Sequence, residues 1–136
     1  MNLLSILLYA MVLLPGRSVW FHGDIKFHLQ LSMQANDAKG VAACMEDAIT
    51  FEYQNTSATK NKAGVEKALI GFFAKYKCKS FKIDNQGYFN NRTRHMEGIY
   101  ESINKHKFQV YFEAVYDEKE ADYHLSRMMI EKIGEN

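Results

Sequence analysis

Five histidines, two cysteines and a scatter of carboxylates are the residues whose types could do chemistry in this sequence. His22, His28, His95, His106 and His124 are the candidate metal ligands. A structural or catalytic metal site draws on ligands a helical turn or a strand step apart, because such pairs reach one ion together. No two of these histidines form an H-x-x-x-H or H-x-H pair, and no Cys or carboxylate sits at ligand spacing beside two of them. They read as surface or half-buried side chains, with no metal and no cofactor. Covalent catalysis needs a nucleophile beside a base and an orienting group. Ser80, Ser102, Ser126, Cys44 and Cys78 carry no recognisable elbow or flanking signature, so no catalytic nucleophile is assigned. Proton transfer is the remaining option. Asp84, His95, Glu97, Tyr100, Glu113 and Arg127 all fall in segments that alternate like strands. A site requires several of them to point into one cavity. Otherwise they make a solvated strand face with cross-strand ion pairs, which is the reading preferred here.

The elements that must position these groups follow from hydrophobic spacing. Residues 21–34 are ambiguous. Ile25, Phe27, Leu29, Leu31 and Met33 alternate with polar neighbours, the period of a strand, yet Phe21, Ile25, Leu29 and Met33 form an i, i+4 stripe with Asp24 placed as a cap. Asn36-Asp37 reads as a loop and N-cap, and Ala38, Val41, Ala42 and Met45 follow at helical spacing. Ile49, Phe51 and Tyr53 make a short half-buried strand, and residues 54–61 read as a polar loop. Asn61 can cap a longer helix carrying Val65, Leu69, Phe72, Phe73 and Tyr76. Beyond Cys78 the pattern changes to strands. Phe81 and Ile83 alternate with Lys82 and Asp84, a strand runs from about Thr93 to Ile103, and Asn104-Lys105 turns the chain. Phe108, Val110, Phe112, Ala114 and Tyr116 share one clean apolar face. The last strand, Tyr123 to Ile130, has its alternation blurred by Met128-Met129. Helices first, then a run of strands in a meander, argues an α+β fold with helices packed on one face of an antiparallel sheet.

Composition bounds the rest. At 136 residues the chain is one domain's worth, and 47% hydrophobic content supplies a core. A net charge of +1 gives no general pull toward nucleic acid or anionic lipid. Leu3 to Leu14 is a nearly unbroken apolar run that ends at Pro15-Gly16. Its roughly 12 residues are too few for a membrane span and suit a signal-peptide core, with Gly16 and Ser18 the small residues before a cut after Ser18. No Lys or Arg precedes the run. The expectation is a leader over 1–18 and a single α+β domain over 19–136, periplasmic or secreted. Cys44 and Cys78 could pair in an oxidising compartment, but two free thiols behaving as small hydrophobes is the preferred reading. Asn55-Thr56-Ser57 and Asn91-Arg92-Thr93 match glycosylation sequons and read as polar loops.

Several segments carry a resemblance. They are Asn36-Asp37-Ala38, AITFEY over 48–53, KALIGFF over 67–73, SFKIDNQG over 80–87, HMEGIY over 95–100, FQVYF over 108–112 and the stretch from Leu125 to Glu131. Together they resemble the bacterial family called domain of unknown function 4783, within the nuclear transport factor 2-like (cystatin-like) superfamily. The resemblance covers about residues 21–131. It implies helices filling the concave side of a strongly curved, cone-like sheet, and a helix rather than a strand before Asn36. It brings no catalytic residues. Some proteins of this fold move a proton with a carboxylate in the open end of the cone, so His95, Tyr100 and Arg127 are the candidate ligand-binding residues there. Tyr111, Glu113 and Val115 are opposite in parity to the Phe108 face. They are candidates for a partner surface on the outside of the sheet, where proteins of this architecture commonly pair as homodimers. Two functions remain in view. One is a non-catalytic envelope domain binding a small ligand or a protein. The other is a small isomerase or hydrolase using acid/base groups in the cone. An open cone with converging ionisable groups favours the second, and a cone filled by Phe72, Phe73, Phe108 and Phe112 favours the first.

Overall fold

The computed structural model describes residues 24–134. The leader expected over 1–18 lies outside them, as do Phe21 and His22. Among the described residues three helices are set by side-chain caps. Asp24 accepts from the Lys26 amide at the start of α1 (Ile25–Gln34), and Asp37 accepts from the Gly40 amide for α2 (Ala38–Ala43). The i, i+4 stripe therefore wins over the period-2 pattern: Ile25, Leu29 and Met33 are buried while Phe27 and Leu31 are exposed. Asn36 takes the left-handed conformation between α1 and α2 with φ of 55°. Its side-chain oxygen receives the Cys78 amide at 2.9 Å and ties that turn to the sheet.

The strands are β1 (Met45–Tyr53) and β2 (Thr56–Asn61), then, after α3 (Lys62–Lys75), β3 (Cys78–Tyr88), β4 (Thr93–Ser102), β5 (Lys107–Asp117) and β6 (Asp122–Ile133). They form one six-stranded sheet in the order β2-β1-β6-β5-β4-β3. β3 to β6 are the expected antiparallel meander. Two features correct the sequence reading. The sheet is mixed, because the meander returns β6 beside β1 in parallel. Residues 54–61 are a strand rather than a loop. β2 pairs with β1 through a tight turn whose central residues, Gln54 and Asn55, both have positive φ. β1 also begins earlier than expected. Met45 is not helical, since α2 ends at Cys44, whose carbonyl accepts from the Leu125 amide at 2.7 Å.

Curvature comes from bulges. A register shift in β3 after Ile83 brings the Lys82 carbonyl against Gly98, where a Cβ would lie 2.0 Å from that oxygen, so only glycine fits. A second shift, between Glu113 and Ala114 in the β5–β6 register, leaves Ser126 as the extra residue. Leu125 and Met128 then face inward together although three positions apart. This explains the blurred alternation at the end of the chain. α1 packs on β3, and α3 crosses the concave side against β1 and β2. Among the described residues no helix is long and apolar enough to cross a membrane. Cys44 and Cys78 are both free.

Candidate functional site

The cone's interior under β4 and β5 is packed shut. Phe72 of α3 lies 5.0 Å from Phe108 and 5.2 Å from Tyr100, ring centre to ring centre, and Tyr76 lies 4.7 Å from Phe108. Tyr100, Phe108 and Phe112 are fully buried. The Tyr100 hydroxyl donates to the Tyr76 carbonyl. Burial first, then the Cys78 thiol beside it, push Tyr100 well above the ordinary tyrosine range, so it stays a neutral donor committed to the backbone.

An open cleft lies elsewhere. A cleft of about 550 Å³ separates α3 from the β1–β2 hairpin. It exists because small residues face each other across it, with Ala58 and Thr56 on β2 opposite Ala68 and Gly71 on α3. A Cβ built on Gly71 would meet nothing within 4 Å. Phe51, Tyr53, Phe72 and Tyr76 form the apolar walls, with Tyr53 edge-on to Phe72 at 6.0 Å. Gln54, Lys60 and Lys75 supply the polar rim, and the Lys75 ammonium sits 5.3 Å from the centre of the Tyr76 ring. Burial is the main cause that raises Tyr53, which therefore presents a protonated hydroxyl. No carboxylate, histidine or thiol is among the residues lining this cleft.

The three candidate ligand-binding residues do not converge. Tyr100 points into the closed core, whereas His95 and Arg127 lie on the outer face of the sheet. His95 and Tyr100 are five positions apart on one continuous strand, and an odd separation puts them on opposite faces. Arg127 pairs with Glu52 at 2.6 Å and Glu113 at 3.2 Å, and the Glu52 hydrogen bond is the main cause raising its basicity. His95 is sandwiched between aromatic rings, with Phe89 at 4.8 Å and Tyr111 at 6.5 Å. Tyr111, Glu113 and Val115 lie half-buried on that same outer face, as their parity requires. Among the described residues no group of three or more His, Cys, Asp or Glu is placed to hold a metal.

The cleft residues were not found by reasoning on ionisable groups. The one available signal was Ala68 and Gly71, small residues at i, i+3 beside the Phe72-Phe73 pair in an otherwise apolar helix.

A search of curated proteins finds no match. Among solved structures the chain is similar to a DUF4783 family protein from Bacteroides uniformis ATCC 8492. The two are 19% identical with a TM-score of 0.74, over 82% of this chain and 100% of that one. It is also similar to a nuclear transport factor 2-like protein of unknown function from Shewanella baltica OS155, at 9% identity and a TM-score of 0.62, over 80% and 88%. A ketosteroid isomerase-like protein from Erwinia carotovora atroseptica SCRI1043 shares 12% identity with a TM-score of 0.64, over 80% and 91%. These likenesses show the fold. The family described as domain of unknown function DUF4783 matches residues 28–131, most of the chain, and the chain belongs to that family.

Proposed function

We propose that this is a binding domain that takes a small, largely apolar molecule in the cleft between α3 and the β1–β2 hairpin and does not transform it. One observation carries the reading: the hollow left by Ala58, Ala68 and Gly71 has an almost wholly apolar lining, with half-buried Tyr53 standing over the buried rings of Phe51, Phe72 and Tyr76. Its volume is in the range of ligand sites, roughly 300–1,000 Å³. Leaving apolar surface wet forgoes about 25 cal/mol for each Å² that could be buried. A Cβ at Gly71 would meet no clash, so the glycine is not forced by packing.

The isomerase reading suggested by one structural neighbour lacks its chemistry in this cleft. Proton transfer at carbon needs a base inside the cavity and a donor free to hold the developing oxyanion. The cleft is lined by no carboxylate or histidine, and the Tyr100 hydroxyl is spent on the backbone.

The test is titration with a neutral naphthylamine fluorophore against the protein and its Gly71→Phe variant. Phenylalanine is no worse than glycine inside a helix, so the variant should keep its unfolding midpoint. Saturable binding by the natural chain and a loss of about tenfold or more in the variant is the expected result, about 1.4 kcal/mol or more. Equal binding by both proteins, or none by the natural chain, refutes the reading.

A further inference from the structure

The cleft carries a charge asymmetry that narrows its ligand. Lys60, on the concave side of β2 opposite Ile49, and Lys75, in the last turn of α3, both line it. No acidic residue does. Among the described residues neither lysine is paired with a carboxylate, whereas Arg92, Arg94 and Arg127 all are. The chain as a whole has a net charge of only +1, so this local excess is not a reflection of a basic protein. The Tyr53 hydroxyl lies within reach of the positive charges of Lys75 and Lys132, yet burial keeps its proton on. It is a neutral donor in a positive field.

Resting on the cleft being a ligand site, we infer that its ligand is a single-chain anionic amphiphile, with its hydrocarbon body in the hollow and its carboxylate, sulfate or phosphate head at the lysine-bearing rim. The body meets Ala58, Ala68, Gly71 and Phe72, which offer no polar group. The head meets the Lys75 ammonium and the Tyr53 hydroxyl at one end of the cleft, while Lys60, beside Gly64 in the first turn of α3, adds positive field from the other end. Charge-assisted hydrogen bonds are about twice as strong as neutral ones, and the apolar floor excludes water from one side of them. Each lysine also has a separate rationale. Lys75 complements the negative end of the α3 dipole, and an inward-pointing lysine protects an edge strand from unwanted pairing. Neither role predicts any discrimination between a charged and an uncharged ligand of the same length, and that difference supplies the test.

Decanoate and decanol are compared as competitors of the neutral naphthylamine fluorophore, with the full chain and with a Lys60→Met, Lys75→Met double variant. Decanoate should bind about tenfold more tightly than decanol at low salt. The gap should shrink at high salt through screening. The double variant should lose the preference for decanoate while keeping its affinity for decanol and the fluorophore. Equal affinities for the two competitors, or a preference that survives in the double variant, overturn the inference and leave the cleft itself standing. Binding of the fluorophore with no displacement by either competitor does the same. Failure of the fluorophore to bind removes the cleft reading and this inference together. Sedimentation with phosphatidylglycerol vesicles separates the sources of the anionic head. Capture by vesicles without displacement by soluble decanoate makes the surface a membrane contact, and the inference is then wrong.

Discussion

Phe72 and Phe73 close the space under β4 and β5, while Ala68, one turn before Phe72 on the same helix, and Gly71, directly before it, leave the space under β1 and β2 open. On the closed side the rings of Phe72, Tyr76, Tyr100 and Phe108 meet one another. Phe72 touches Tyr100, Phe108 and Tyr76, and the fully buried Tyr100 hydroxyl is hydrogen-bonded. On the open side α3 faces β2, an edge strand whose inward residues are Thr56, Ala58 and Lys60. The difference teaches that a single amphipathic helix can pack as core on one face and wall a cleft on the next. The size of its side chains decides which, more than their polarity. It also places the filled core and the open cleft in different halves of the sheet, a separation that mutations can test.

Phe108→Ala should have the largest effect. The ring is fully buried among Phe72, Tyr76 and Tyr100, so its removal leaves a cavity and should cost about 3–5 kcal/mol in denaturant unfolding. A loss under about 1 kcal/mol would mean that the filled half is not tightly packed. Next comes a pH effect at Cys44, sealed at the end of α2. Burial pushes its thiol up from the ordinary 9.0 to about 12. Below the unfolded value both states keep the proton and nothing is lost. As pH rises through this window the unfolded chain sheds its proton first, so stability should fall by about 1.4 kcal/mol per pH unit. Cys44→Ala should flatten that slope. Parallel slopes for the two proteins would show that the thiol is not sealed. Tyr100→Phe keeps the ring and removes the donor to the Tyr76 carbonyl, which should cost about 1–2 kcal/mol by the same unfolding assay. An unchanged midpoint would sink the claim that this hydroxyl is structural and return it to the candidates for chemistry. The smallest change belongs to the open half. Gly71→Ala adds a methyl group to a helix interior where nothing lies within 4 Å, and should stabilise the protein by about 0.5–1 kcal/mol. Destabilisation there would show that the space is not free.

Much of the closed half was legible. The Phe108 alternation, the α3 stripe from Val65 to Tyr76 and the Asn61 cap all stand where spacing put them. The outward parity of Tyr111, Glu113 and Val115 was legible too. The candidate site was not. His95 and Arg127 were grouped with Tyr100 because all three can do chemistry, although strand parity already separated His95 from Tyr100. Arg127 needed the structure, because the bulge at Ser126 resets which residues of β6 face inward.

By itself the sequence determined the α+β class, the caps of the helices, the antiparallel meander and the identity of the buried rings. These rest on local physics: the helical and strand periods, and side-chain oxygens that satisfy the first amides of a helix. Only the tertiary structure decided that 56–61 is a strand, that β6 lies parallel to β1, and that a cleft opens between that hairpin and α3. Polar, small residues such as Thr56 to Asn61 have no apolar alternation to announce a strand, so pairing with β1 makes it one. The direction of a strand pair depends on the whole chain path between its partners. A cleft is volume that side chains on two separate elements fail to fill, and no local pattern in a sequence records what is missing between distant residues.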